Sequence, residues 1–218
     1  MILKIKGDIV SNDMKDIYEW FGYDCTTPGD VLTALEEMPK GDRLQVKINS
    51  GGGDVFAGQE IYSTLRGRND VDIEVEGLAA SAASVIAMAG KSTISPVGML
   101  MIHDVSASYI SGNHAQLSKQ AETLKAWDEA LASAYVEKTG KNKEEIIQMM
   151  DAETWITADK AVELGFIDAI SQAGEPVITN SIGNLKVTDE MIKKYEAKKA
   201  DTEKEKNELL KDLDKFGA

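Results

Sequence analysis

Apolar and polar residues alternate from Ile2 to Lys6 and stop at Gly7, the period-two signature of a half-buried strand. Ser11 is placed to cap a helix over Asp13 to Phe21, with acids near its start. Thr26 to Asp30 reads as a break, Val31 to Met38 as a helix closed by Pro39 and Gly41, and Leu44 to Ile48 as a second alternating strand. The pattern then predicts a helix over Val55 to Leu65, a strand over Val71 to Val75 and a helix of small residues over Ala79 to Ala89. Short strands follow at Thr93–Ile94 and Met99–Ile102. A long helix is expected over Gln116 to Lys138, marked by Leu117, Leu124, Trp127 and Leu131. Helices at Lys143 to Met150 and Ala158 to Leu164 and a strand at Phe166 to Ile170 complete the series. Strands alternating with helices imply an α/β fold built from crossover units.

The remainder breaks this pattern. Leu185 to Ala218 carries nine lysines and nine acids and little apolar surface, with thin stripes of Ile192 and Tyr195 and of Leu209, Leu213 and Phe216. It reads as a charged helical arm for assembly or docking, or equally as a frayed extension. The expected division is therefore a domain over 1–184 and a tail over 185–218.

Composition narrows the function. The chain has 218 residues, of which 43% are hydrophobic, and suits one domain plus an appendage. Its formal net charge is −13, which speaks against a nucleic-acid partner, because such binding is driven by Lys and Arg. Cys25 is the single cysteine, so no intrachain disulfide can form. Met1 to Lys6 is too short and too charged for a signal core. Gly77 to Gly90 falls short of the ~20 apolar residues a spanning helix needs. A soluble, cytoplasmic protein without a membrane partner is expected.

Three segments combine unusual backbone chemistry with reactive side chains. Asn49-Ser-Gly-Gly-Gly-Asp54 joins a strand to a helix, and its glycines let a substrate backbone approach closely. It lacks the Lys-Ser/Thr ending of a phosphate loop, and alone it reads as a flexible turn. In Gly77-Leu-Ala-Ala-Ser-Ala-Ala-Ser84, Ser81 falls at a helix start, suited either to nucleophilic attack or to simple capping. Ser84, one turn later, reads as a packing residue. In Met99-Leu-Met-Ile-His-Asp104, His103 ends an apolar strand, where it could serve as a general base or as a satisfied structural residue. His114 lies in a polar stretch and reads as exposed. Asp151-Ala-Glu-Thr-Trp-Ile156 offers two acids between helices, either of which could orient an imidazole or simply be solvated. No metal-ligand spacing is evident, and no cofactor is implied.

Ile48-Asn-Ser-Gly-Gly-Gly53, Gly77-Leu-Ala-Ala-Ser81, Met101-Ile-His103, and Trp155-Ile-Thr-Ala158 with Ala161-Val-Glu-Leu-Gly165 follow one another in this order. In that order they resemble the Clp serine proteases (ClpP), and most of all the ClpP-like head-maturation (prohead) proteases of phages and prophages. The resemblance runs from about Ile2 to Ile170. It implies a ClpP/crotonase-like α/β fold and a Ser-His-acid triad. Ser81 matches the nucleophile, His103 the base, and Gly53 and Ala82 the positions whose amides form the oxyanion hole. Gly51 and Gly52 fall in the substrate-facing turn.

The chain departs from the family's pattern at several points. Glu153 stands where the family usually has a catalytic Asp, with Asp151 as the alternative acid. Gly51 replaces a usual proline, the segment from Ser81 to His103 is short, and the charged tail has no housekeeping counterpart.

The resemblance implies a serine endopeptidase that forms a ring-like homo-oligomer, with the long helix as its assembly handle. Its substrates would be capsid or scaffold proteins, cleaved in the host cytoplasm or within the prohead. The alternatives are a housekeeping ClpP working with an ATPase unfoldase, a crotonase-fold acyl-CoA enzyme, and a non-catalytic assembly protein.

Overall fold

In a computed structural model, which describes residues 1–108, 110–172 and 204, the N-terminal alternation forms β1 (Ile2–Ile9), with Ile5 and Ile9 fully buried. A 3-10 turn over Asn12–Met14 precedes α1 (Lys15–Phe21). Ser11 caps neither with its side chain. The expected break at 26–30 instead holds β2 (Cys25–Thr26) and the start of α2 (Pro28–Glu37). Thr27 and Asp30 cap that helix reciprocally, and Pro28 costs nothing at its first position because that N–H would be unpaired anyway.

β3 (Leu44–Gly53) and β4 (Val71–Ala80) both run well past their alternating segments. They pair in parallel as far as Ile48 and Val75, and the register then shifts before Ser50 meets Ala79. Polar side chains hold the irregular stretch. Asn49 Oδ1 accepts Leu78 N at 3.0 Å, and Ser50 Oγ donates to the Gly7 carbonyl at 2.6 Å. A side chain at Gly77 would collide with Asn49 Oδ1, 2.6 Å from the ideal Cβ position.

After α3 (Val55–Leu65) and β4 comes α4 (Ala82–Ala87), shorter than its run of small residues predicts. The reason is pairing: Ala79 and Ala80 are spent on β6 (Met99–Ile102), opposite Leu100 and Met101. β5 (Lys91–Ile94) pairs with the first half of β4, so β4 feeds two neighbours along its length.

α5 (His114–Thr139) runs for 26 residues, or about 39 Å. Its buried residues begin at Asp128; Leu117 lies in an exposed first half. α6 (Lys143–Asp151), β7 (Thr154–Thr157), α7 (Ala158–Glu163) and β8 (Ala169–Ile170) follow. The sequence pattern assigns 151–156 to a link between helices, but Thr154 to Thr157 form a strand antiparallel to β6, with Trp155 opposite Met101. The other strand pairs are parallel, in the order β2-β1-β3-β4-β5-β8, with β6 and β7 branching from β4. This is the mixed α/β architecture the resemblance implies. The charged arm expected over 185–218 lies outside the described residues except for Lys204.

Candidate active site

The branch in β4 creates the site. The strand ends at Ala80, α4 begins at Ala82, and Ser81 between them sits at φ 54° and ψ −127°. A side chain there is strained, by about 1–3 kcal/mol, and such strain persists only where surroundings enforce it. Ser81 N donates to the Met101 carbonyl at 2.9 Å, tying the turn to the strand that carries His103. A sharp strand-to-helix turn of this kind presents a hydroxyl outward instead of burying it in either element.

Gly52 explains how the turn fits. With φ +98°, an added Cβ would sit 2.7 Å from both the Ala80 carbonyl oxygen and Ser81 Cβ. Gly53, at φ +147°, would collide with Ile9 O at 2.2 Å. The glycine segment is therefore neither spare nor loose; its backbone is pressed against the elbow on one side and β1 on the other. Gly51 faces open space.

His103, one residue beyond β6, brings Nε2 to 2.8 Å from Ser81 Oγ. The two line an open cleft of about 470 Å³ with Gly53 and Ala82, and its apolar walls include Val55, Val85 and Leu131. Ser84 is excluded from this opening by its partners. Its Oγ donates to the Ser81 carbonyl and lies 2.7 Å from the Tyr135 hydroxyl, both within the core. Burial pushes that phenol far above its ordinary pKa, so Tyr135 stays neutral. His114 is the exposed first residue of α5.

The acids are distributed differently from the sequence expectation. Glu153 is exposed, at φ 48°, and accepts Trp155 Nε1 at 3.3 Å. Among the described residues, no hydrogen bond joins Glu153, Asp151, Asp104 or Asp128 to His103, whose ring bonds Ser81. Asp151 instead meets Asp104, whose carboxyl is pushed up to about 6 by burial, by the Asp128 charge and by that contact.

Asp128, which sequence reasoning passed over, is a buried acid on α5, and its Oδ1 accepts Val105 N at 2.6 Å. Burial raises its pKa; the bond from Val105 opposes this, the Asp151 charge adds to it and the His103 charge offsets it. A signal was present in the sequence: Asp128 precedes Leu131 by three and Tyr135 by seven, on the helix's buried stripe.

A free hydroxyl against an imidazole, at a strained turn facing a cleft, is an arrangement for acyl transfer. The Clp protease family model matches residues 28–174. The chain belongs to the Clp protease family. Its relatives include ATP-dependent Clp protease proteolytic subunit 2 of Chlamydia pneumoniae, 33% identical over 173 residues, covering 75% of this chain and 84% of that one. Subunit 2 of Chlamydia trachomatis serovar D is 30% identical over 187 residues, 81% of this chain and 91% of the relative. Subunit 1 of Streptomyces avermitilis is 36% identical over 138 residues, 62% and 63% of the two chains.

As a Clp protease, the protein is a serine endopeptidase. Among the described residues, no helix is long and apolar enough to cross a membrane, and no cluster of His, Cys, Asp or Glu is arranged to hold a metal ion.

Proposed function

We propose that Ser81 is the nucleophile of this endopeptidase and His103 its general base. Ser81 Oγ attacks the peptide carbonyl as its proton passes to His103 Nε2. The amides of Gly53 and Ala82 stabilise the tetrahedral oxyanion, and donors in such a hole are worth roughly 3–4 kcal/mol each. Collapse returns the proton to the leaving amine. Water then repeats the sequence on the acyl-enzyme and frees the serine. Gly51 and Gly52 form the edge that receives the substrate backbone. A carboxylate orients the imidazole, and Glu153, with Asp151 beside it, holds the position that the family resemblance assigns to that acid.

The observation that carries this reading is the 2.8 Å approach of Nε2 to a hydroxyl on a strained turn. Peptide turnover by the full chain tests it. Ser81→Ala and His103→Ala should each lose about 10⁶ in turnover, by analogy with triad removal elsewhere. His114→Ala should keep its activity. An active Ser81→Ala, or a dead His114→Ala, overturns the assignment.

The substrate reading rests on departures from the common family pattern: Glu153, Gly51, the short Ser81–His103 segment and the charged arm over 185–218. These favour a prohead protease that cleaves scaffold or capsid proteins in the host cytoplasm or forming particle, with 1–184 as its protease domain. The exposed first half of α5 suits a handle between subunits of a ring. The relatives, proteolytic subunits of ATP-dependent Clp proteases, support a second reading, a proteolytic subunit served by an ATPase unfoldase. Incubating the purified chain with a purified capsid precursor separates the two. Ser81-dependent processing without ATP supports the first, while degradation only with an unfoldase and ATP supports the second.

A further inference from the structure

Four acids compete for the task of orienting His103, and the structure ranks them. A serine–histidine pair in which Nε2 faces the hydroxyl needs its ring proton on Nδ1, and that proton needs a fixed anion to hold the tautomer. Glu153 spends its carboxylate on Trp155 at an exposed edge. Asp151 and Asp104 face one another, so each carboxylate there lies against a like charge rather than being free for the imidazole. Asp128 differs from all three. It is 8% exposed, on a helix anchored by Leu131 and Tyr135, and α5 is further tied to α3 by the edge-on Phe56–Trp127 pair, centroids 5.0 Å apart. Its Oδ1 is fixed by Val105 N, two residues beyond His103. No hydrogen bond to Oδ2 forms among the described residues.

We propose that Asp128, supplied by α5, is the positioning carboxylate of His103, holding the Nδ1–H and stabilising the imidazolium that forms when Ser81 is deprotonated. The inference rests on the Ser81–His103 reading above and replaces only its acid. The His103 charge is also felt at the Asp128 carboxyl, as this placement requires. The arrangement makes assembly and catalysis neighbours: the helix with an exposed first half carries the acid where its buried half begins.

Asp128→Asn is the decisive variant because it separates two roles. Asparagine keeps a carbonyl oxygen for Val105 N–H, so a purely structural role survives, whereas the charge is lost. Turnover by the full chain should fall about 10⁴-fold, the loss seen when a triad carboxylate becomes its amide. Its Tm should stay near the parent's, and Asp128→Glu should recover part of the rate. Glu153→Gln and Asp151→Asn should each lose less turnover than Asp128→Asn.

In the parent itself, the His103 Nδ1–H resonance, identified by its loss in His103→Ala, should persist in Glu153→Gln and Asp151→Asn. Near-parental turnover in Asp128→Asn, or loss of that resonance in Glu153→Gln or Asp151→Asn, overturns the proposal while leaving the serine assignment intact. Turnover retained by Ser81→Ala would instead remove the reading beneath it.

Discussion

At the scale of single residues, the site rests on a backbone conformation that its side chain would not choose. Ser81 occupies a region of φ/ψ where glycine is comfortable and serine is not. Ser81→Ala keeps the strain and loses the nucleophile; Ser81→Gly loses both. Both variants should be inactive, and Ser81→Gly should melt higher than Ser81→Ala, by strain relief of about 1 kcal/mol net of glycine's greater freedom when unfolded. Equal melting temperatures would mean that the elbow stores no strain. Ser84→Ala is the complementary case. It strips a buried phenol of its 2.7 Å partner, so it should cost about 1–3 kcal/mol in stability and leave the chemistry in place.

At the scale of elements, legibility followed periodicity. α3 is legible residue for residue from the helical spacing of Val55, Ile61, Tyr62 and Leu65; its Asp54 cap is seen only in the structure. β3 and β4 were predicted only as far as their alternation lasts; Asn49, Ser50 and strand pairing carry them further, and none of that is periodic. β7 was missed because four residues between two helices become a strand only when β6 supplies a partner. Ser81 and His103 were legible because the family motifs carry them, whereas Asp128 was not, since one acid among many on a charged helix reads as solvated. Its burial follows from how α5 packs.

The same packing gathers Asp104, Asp128 and Asp151 at the end of β6, with His103 adjoining, and has a consequence for pH. Asp104 titrates at about 6 in the fold and near 3.8 when unfolded. The folded state therefore binds this proton more tightly, and its stabilising effect fades as pH rises from about 4 through 6. Asp104→Asn should accordingly gain Tm over the parent above pH 6 and show little gain at pH 4. A difference independent of pH would contradict the crowding of these carboxyls.

At the scale of the molecule, α5 contributes a half-helix that is exposed among the described residues, and the arm over 185–218 has too little apolar sequence for a core of its own. Neither feature supplies a residue to the Ser81–His103 pair. A chain ending at Asn184 should keep its hydrolytic rate on short peptides and lose either higher-order assembly, seen by light scattering, or co-purification with a capsid precursor. If this shorter chain unfolds, the arm belongs to the protease domain and the division at 184 is wrong.

The central claim is that one hydroxyl, Ser81 Oγ, is activated by one imidazole, His103. Reaction of the full chain with a fluorophosphonate, followed by mass-spectrometric location of the adduct, addresses it most directly. The account predicts a single phosphonylated site at Ser81, absent in Ser81→Ala and formed orders of magnitude more slowly in His103→Ala. An adduct on Ser84, or on Ser106 in the wall of the same cleft, or labelling of Ser81 at an unchanged rate without His103, would contradict it.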